Sequence, residues 1–190
     1  MNQTIDWKQK LNLAIERITT RYEQIGRKTG APFLAIVYPP DLEEEVMSEW
    51  RTLTSTLHSD YDFREIDLIF LIIAETEKLG VENVVKVIHD PMPGSNAELE
   101  LGQMWVRAVA DAVREESQKS DKDRRIVLVL VGLAALYPVA GPRDIMQTLW
   151  DKPGVLDGPV VVFIPGSFSE PRVYSFLNIK EEFMYRGDIL

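Results

Sequence analysis

Residues 125–166 read RIVLVLVGLAALYPVAGPRDIMQTLWDKPGVLDGPVVVFIPG, and this stretch decides the fold. Ile126 to Val131 and Pro159 to Ile164 are runs of β-branched and aliphatic residues with no polar alternation, the pattern of strands covered on both faces. Between them the sequence predicts a Gly-rich turn and a short helix over Arg143 to Trp150. Pro165-Gly166 reads as the stop of the second strand. Strands of this kind lie inside a parallel sheet held between helices, so the expected class is α/β, a three-layer sandwich around a central, mainly parallel sheet. The layout resembles a degenerate P-loop or Rossmann-like domain.

Working outward, the rest of the chain supplies the layers. Trp7, Leu11, Ile15, Ile18, Tyr22 and Ile25 recur at helical spacing and predict an amphipathic helix over 5–25, punctuated by Gly26 and Gly30. Phe33 to Tyr38 is another doubly covered strand, stopped by Pro39-Pro40, which lack two backbone donors. Asp41 is expected to cap the next helix in a capping-box spacing with Glu44, and Glu43 to Glu45 complement the helix dipole. Phe63 to Ile66 alternates like a strand nearer a sheet edge. Asp67 reads as a cap before Leu68 to Ala74, which is apolar nearly all round and predicts a largely buried helix ending at Gly80. A short helix over Val81 to His89 and a long one over Asn96 to Gln118 follow, the latter with Leu99, Trp105, Val106, Val109 and Val113 inward. After the second strand of the opening stretch, Ser167 to Pro171 reads as a turn, Arg172 to Ile179 as a short helix and Phe183 to Leu190 as a last strand. No repeat breaks the chain, so residues 1–190 are expected to form one domain.

Composition bounds the function. A domain of 190 residues buries roughly 70% of its unfolded surface and needs no staples. Cysteine is absent, which removes disulfides, thiolate metal sites and a cysteine nucleophile, and two histidines are too few for a histidine-rich metal centre. The balance of 21 Lys+Arg against 30 Asp+Glu, a net charge of -9, repels a phosphate backbone, so direct DNA binding is not expected. No apolar run approaches the ~20 residues that span a bilayer, and Met1 to Asp6 lack a signal-peptide pattern, so the expected location is the cytoplasm.

Tests for catalytic and ligand motifs mostly fail. A phosphate loop needs free backbone N–H groups and a lysine, whereas Tyr38-Pro39-Pro40-Asp41-Leu42-Glu43 offers prolines and acids. The strand ending at Val131 runs into Gly132-Leu133-Ala134, where a Mg²⁺-handling acid is wanted. His58 and His89 have no sequence context that supplies an orienting acid and a nucleophile. No catalytic, cofactor-binding or metal-binding residue is assigned, and no cofactor is expected.

Three segments, in order, resemble the BrxB family of BREX phage-defence systems. They are Pro32 to Pro39 with Ile66-Asp67-Leu68; Val131-Gly132-Leu133-Ala134-Ala135-Leu136-Tyr137-Pro138 leading to Ile145 and Leu149, similar to the family's TGVGxxYP; and Pro159 to Gly166, similar to its PVVLFYPG. Phe176-Leu177 and Tyr185-Arg186 echo the family's ending. Leu133-Ala134-Ala135 replaces the second glycine, and Met184 to Gly187 is looser than the family's ending. The resemblance implies a non-enzymatic adaptor or scaffold in a bacterial anti-phage complex, beside an AAA+ ATPase, an adenine-specific DNA methyltransferase and a PglZ-type phosphatase-fold protein. It leaves homo-oligomerisation open. The competing reading is a nucleotide-responsive regulatory domain derived from a P-loop ATPase. Under the adaptor reading the expected partner surface is the set of loops after the strands, Tyr38 to Asp41, Leu133 to Gly141 and Gly166 to Glu170, with Tyr38, Leu136, Tyr137 and Phe168 as anchors.

Overall fold

The computed structural model describes residues 6–25, 32–119, 123–151, 156, 158–184 and 187–190. Gly26, Gly30, Tyr185 and Arg186, singled out above, lie outside that set. The elements in chain order are α1 (Trp7–Ile25), β1 (Phe33–Tyr38), α2 (Glu43–Ser55), β2 (Tyr61–Asp67), α3 (Leu68–Leu79), α4 (Val81–His89), α5 (Ala97–Gln118), β3 (Arg125–Val131), α6 (Pro142–Asp151), β4 (Val160–Glu170), β5 (Val173–Phe176), β6 (Lys180–Phe183) and β7 (Asp188–Ile189).

The central strands stand in the order β2-β3-β4-β1-β7 and every neighbouring pair is parallel. Their apolar runs are uninterrupted because both faces are covered. Leu34, Ile36 and Tyr38 of β1, Val127 and Val129 of β3, and Val161 and Phe163 of β4 pack with α1 and α2 through Leu11, Ile18 and Trp50. Their alternating neighbours Phe33, Ala35, Leu128, Leu130, Val160 and Val162 pack with α3 to α6 through Leu68, Trp105, Val109 and Ile145. The chain crosses from β1 to the far edge beneath α2 and returns strand by strand beneath α3 to α6. Opposite directions of travel thus use opposite faces, as crossovers of a single hand require. The three-layer α/β sandwich with a mainly parallel sheet is the observed architecture.

Several local expectations are corrected. β4 does not stop at Pro165-Gly166 but runs on to Glu170, pairing there with β5, and Arg172 to Ile179 is no helix: β5 and β6 form an antiparallel hairpin against the outer half of β4. Gly166 permits this, since a side chain there would run into the Ser175 carbonyl oxygen. Asp41 does not cap α2. A 3-10 turn over Pro40–Leu42 precedes the helix, and Leu42 at its N-cap supplies no side-chain bond. In α3 only Leu68 and Ile72 are buried, so this helix is half exposed rather than enclosed. Leu99 of α5 points outward, whereas Trp105, Val106, Val109 and Val113 are buried as their spacing predicts. Of the segment from Phe183 to Leu190, Asp188–Ile189 pairs as the edge strand β7 beside β1, and Phe183 belongs to β6.

Candidate functional site

The C-terminal ends of β1, β3 and β4 gather on one edge of the sheet, where open α/β sheets place ligands. Tyr38 ends β1 fully buried, its ring edge-on to Phe163 at 6.2 Å. Burial, reinforced by the Glu43 carboxylate, pushes its phenol far above the ordinary range, which keeps it neutral. Leu136, in the 3-10 turn Leu133–Leu136, is also fully buried. Neither can touch a partner while the loops keep this conformation. Tyr137 and Phe168 are exposed, at 42% and 41%.

These two exposed residues belong to opposite layers. The Phe168 ring lies over Lys10 of α1, with Nζ 4.5 Å from its centroid. Lys10 is buried, donates one hydrogen bond of 2.7 Å to the Val37 carbonyl, and burial lowers its pKa to about 8. Phe168 therefore seals the α1 side of β1. Tyr137 instead follows the 3-10 turn that packs on α3. Gly132 opens that turn in the left-handed region at φ 70, and a side chain there would meet Ile69 Cγ1 at 2.9 Å. Asp67 caps α3 as its position predicts, Oδ1 accepting the Ile69 N–H at 2.8 Å.

Behind this contact α3 shows the solvent Ile69, Phe70 and Ile73, at 45%, 73% and 50% exposure. On α4, Val81 and Val85 repeat the pattern one helical turn apart and are also exposed. Sequence reasoning missed this surface because a helix apolar all round reads as enclosed. The fold supplies an apolar layer to only one side of α3.

The N-terminus of α6, which follows β3, is where a doubly wound domain would hold a phosphate. Here the position is filled from within. Glu182 of β6, its side chain 2% exposed, accepts the Arg143 N–H at 3.0 Å and the Tyr174 hydroxyl at 2.8 Å through Oε2. Its Oε1 lies 3.0 Å from Lys180 Nζ and so close to Gly141 that a side chain there could not fit. Asp144 Oδ2 accepts the Gly141 N–H at 2.9 Å. Burial, then the Glu182 charge, raise the Tyr174 phenol out of the titrating range, so it stays a donor. The sequence of β6 gave no signal of this, because in Lys-Glu-Glu-Phe the buried position is a glutamate and Phe183 beside it faces out.

Among the described residues no group of three or more His, Asp or Glu side chains is arranged to hold a metal, and no helix is long and apolar enough to cross a membrane. Comparison with models of known families, with curated proteins and with solved structures finds no match to this chain.

Proposed function

We propose that this chain is a non-enzymatic adaptor that acts by protein–protein contact within a BREX-type anti-phage defence complex. The observation that carries the contact reading is the apolar face of Ile69, Phe70 and Ile73 on α3, continuous through Ile69 and Gly132 with the turn that leads to Tyr137. Exposed apolar clusters of this kind mark interaction sites on folded chains, and an aromatic surrounded by aliphatic groups is the usual composition of an interface anchor. The BREX setting, with a PglZ-type phosphatase-fold protein, an AAA+ ATPase and a DNA methyltransferase as partners, rests on the resemblance of residues 32–186 to the BrxB family. The carboxylate of Glu182 on the α6 N-terminus and the prolines after β1 both speak against the nucleotide-responsive alternative.

The test is reconstitution. An affinity-tagged chain co-expressed with the three implied partners retains at least one of them, and Phe70→Glu with Ile73→Glu abolishes retention while the melting curve stays cooperative. Tyr137→Ala weakens retention; Phe168→Ala lowers stability instead, because it uncovers Lys10. A wild-type chain that retains none of the three overturns the BREX setting, and retention untouched by the double variant removes α3 from the interface.

A further inference from the structure

Between α5 and α6 lies a half-open cavity of about 420 Å³, lined in part by the exposed Leu99, Gln103, Arg107, Asp144 and Gln147, with a volume in the range of sites for small ligands. It is independent of the α3 face. Leu99, Val106, Val139 and Ala140 give it apolar walls. Gly102 lets α5 come close to the loop before α6, since any side chain there would strike the Val139 carbonyl.

The polar groups on the walls fall into two sets. Asp144 is committed to the Gly141 N–H at 2.9 Å, and Gln147 donates to both carboxylate oxygens of Asp151 at 2.8 and 2.9 Å. Arg107, Gln103 and Thr148 make no side-chain hydrogen bond or ion pair with any other described residue. The uncommitted set is rich in donors: a guanidinium fork, a carboxamide and a hydroxyl, all bordering one cavity. That set suits an oxygen anion, and the guanidinium fits a carboxylate through two parallel bonds. Charge narrows the class further. Asp144 borders the same cavity, and Glu100 and Asp111 share the helical stripe of Gln103 and Arg107 on α5, so a second negative charge on the ligand would meet no counter-charge.

We propose that this cavity binds a small monocarboxylate with a short aliphatic body. The carboxylate sits on Arg107, Gln103 and Thr148 supply further donors, and the body lies along Leu99, Val106, Val139 and Ala140. A free short-chain acid and the C-terminal carboxylate of a polypeptide ending in an apolar residue present the same chemistry.

The experiment is an NMR titration of the ¹⁵N-labelled full chain with sodium hexanoate, hexanamide and hexylammonium, repeated on Arg107→Gln. Hexanoate is expected to move the amide resonances of Gln103, Arg107, Ala140 and Thr148 saturably. Hexanamide and the Arg107→Gln variant each bind at least about tenfold more weakly, as loss of a charge-assisted pair requires. Hexylammonium leaves these resonances in place. A further arm compares acetyl-dialanyl-leucine with its C-terminal amide: tighter binding than hexanoate by the acid form assigns the site to a chain terminus, and weaker binding assigns it to a free acid. Absent or non-saturating shifts with hexanoate, equal affinity for hexanoate and hexanamide, or unchanged affinity in Arg107→Gln would each overturn the proposal. Arg107 is exposed, so the variant is expected to fold.

Discussion

Lys10 shows how a single residue can hold a layer in place at a cost. Its ammonium leaves water for one carbonyl bond from Val37 and the face of Phe168, which return only part of the lost hydration. Burial therefore lowers its pKa to about 8 from the 10.5 of a free lysine. The unfolded chain then binds more protons than the folded one between those values, so stability rises with pH across that window. Below about 8 the penalty is fully present; above 10.5 it is gone. Urea denaturation of the wild type and Lys10→Met at steps from neutral to alkaline pH should show the wild type gaining on the variant through that range. A constant gap would mean that the ammonium keeps its hydration. Nothing in the sequence pattern marks Lys10. It sits on the apolar stripe between Trp7 and Ala14, and a lysine there ordinarily lays its stem on the core and its head in water.

At the scale of elements, the β5–β6 hairpin is tied to α6 by the Glu182 carboxylate. Glu182→Ala leaves the buried Tyr174 hydroxyl without this acceptor, which costs about 1–3 kcal/mol, and removes the bond from the part-buried Arg143 N–H. A lower denaturation midpoint with an unchanged slope is the expected result, and an unchanged midpoint would show the hairpin to be held by packing alone. This hairpin was not legible in the sequence. Its turns use Arg172, Leu177 and Asn178 at positive φ, with no glycine to announce them, and Val173, Phe176 and Leu177 fall at helical spacing. Helix α3 was half legible. Its cap at Asp67 and its end at Gly80 follow from the residues. Its environment does not, because an all-round apolar helix has the same sequence whether the chain encloses it or leaves a face for another protein.

For the whole molecule the sheet was the readable part. A strand covered on both faces must be apolar at every position, which makes β1, β3 and β4 unmistakable, whereas the weaker alternation of β2 matches its place at the edge. The candidate anchors were less readable, since burial is decided by neighbours far away in sequence. Tyr38 and Leu136 close the core beneath the loops, Phe168 covers Lys10, and of the two exposed residues Tyr137 is the one on the side of α3. The central claim is that this chain works by contact through α3. It is tested most directly by hydrogen–deuterium exchange of the chain alone and with whichever of the three implied partners it retains. The account predicts new protection over residues 69–73 and 133–137, with α1 and the outer half of β4 unchanged. Protection confined to α1 and Phe168, with 69–73 exchanging as in the free chain, would contradict it.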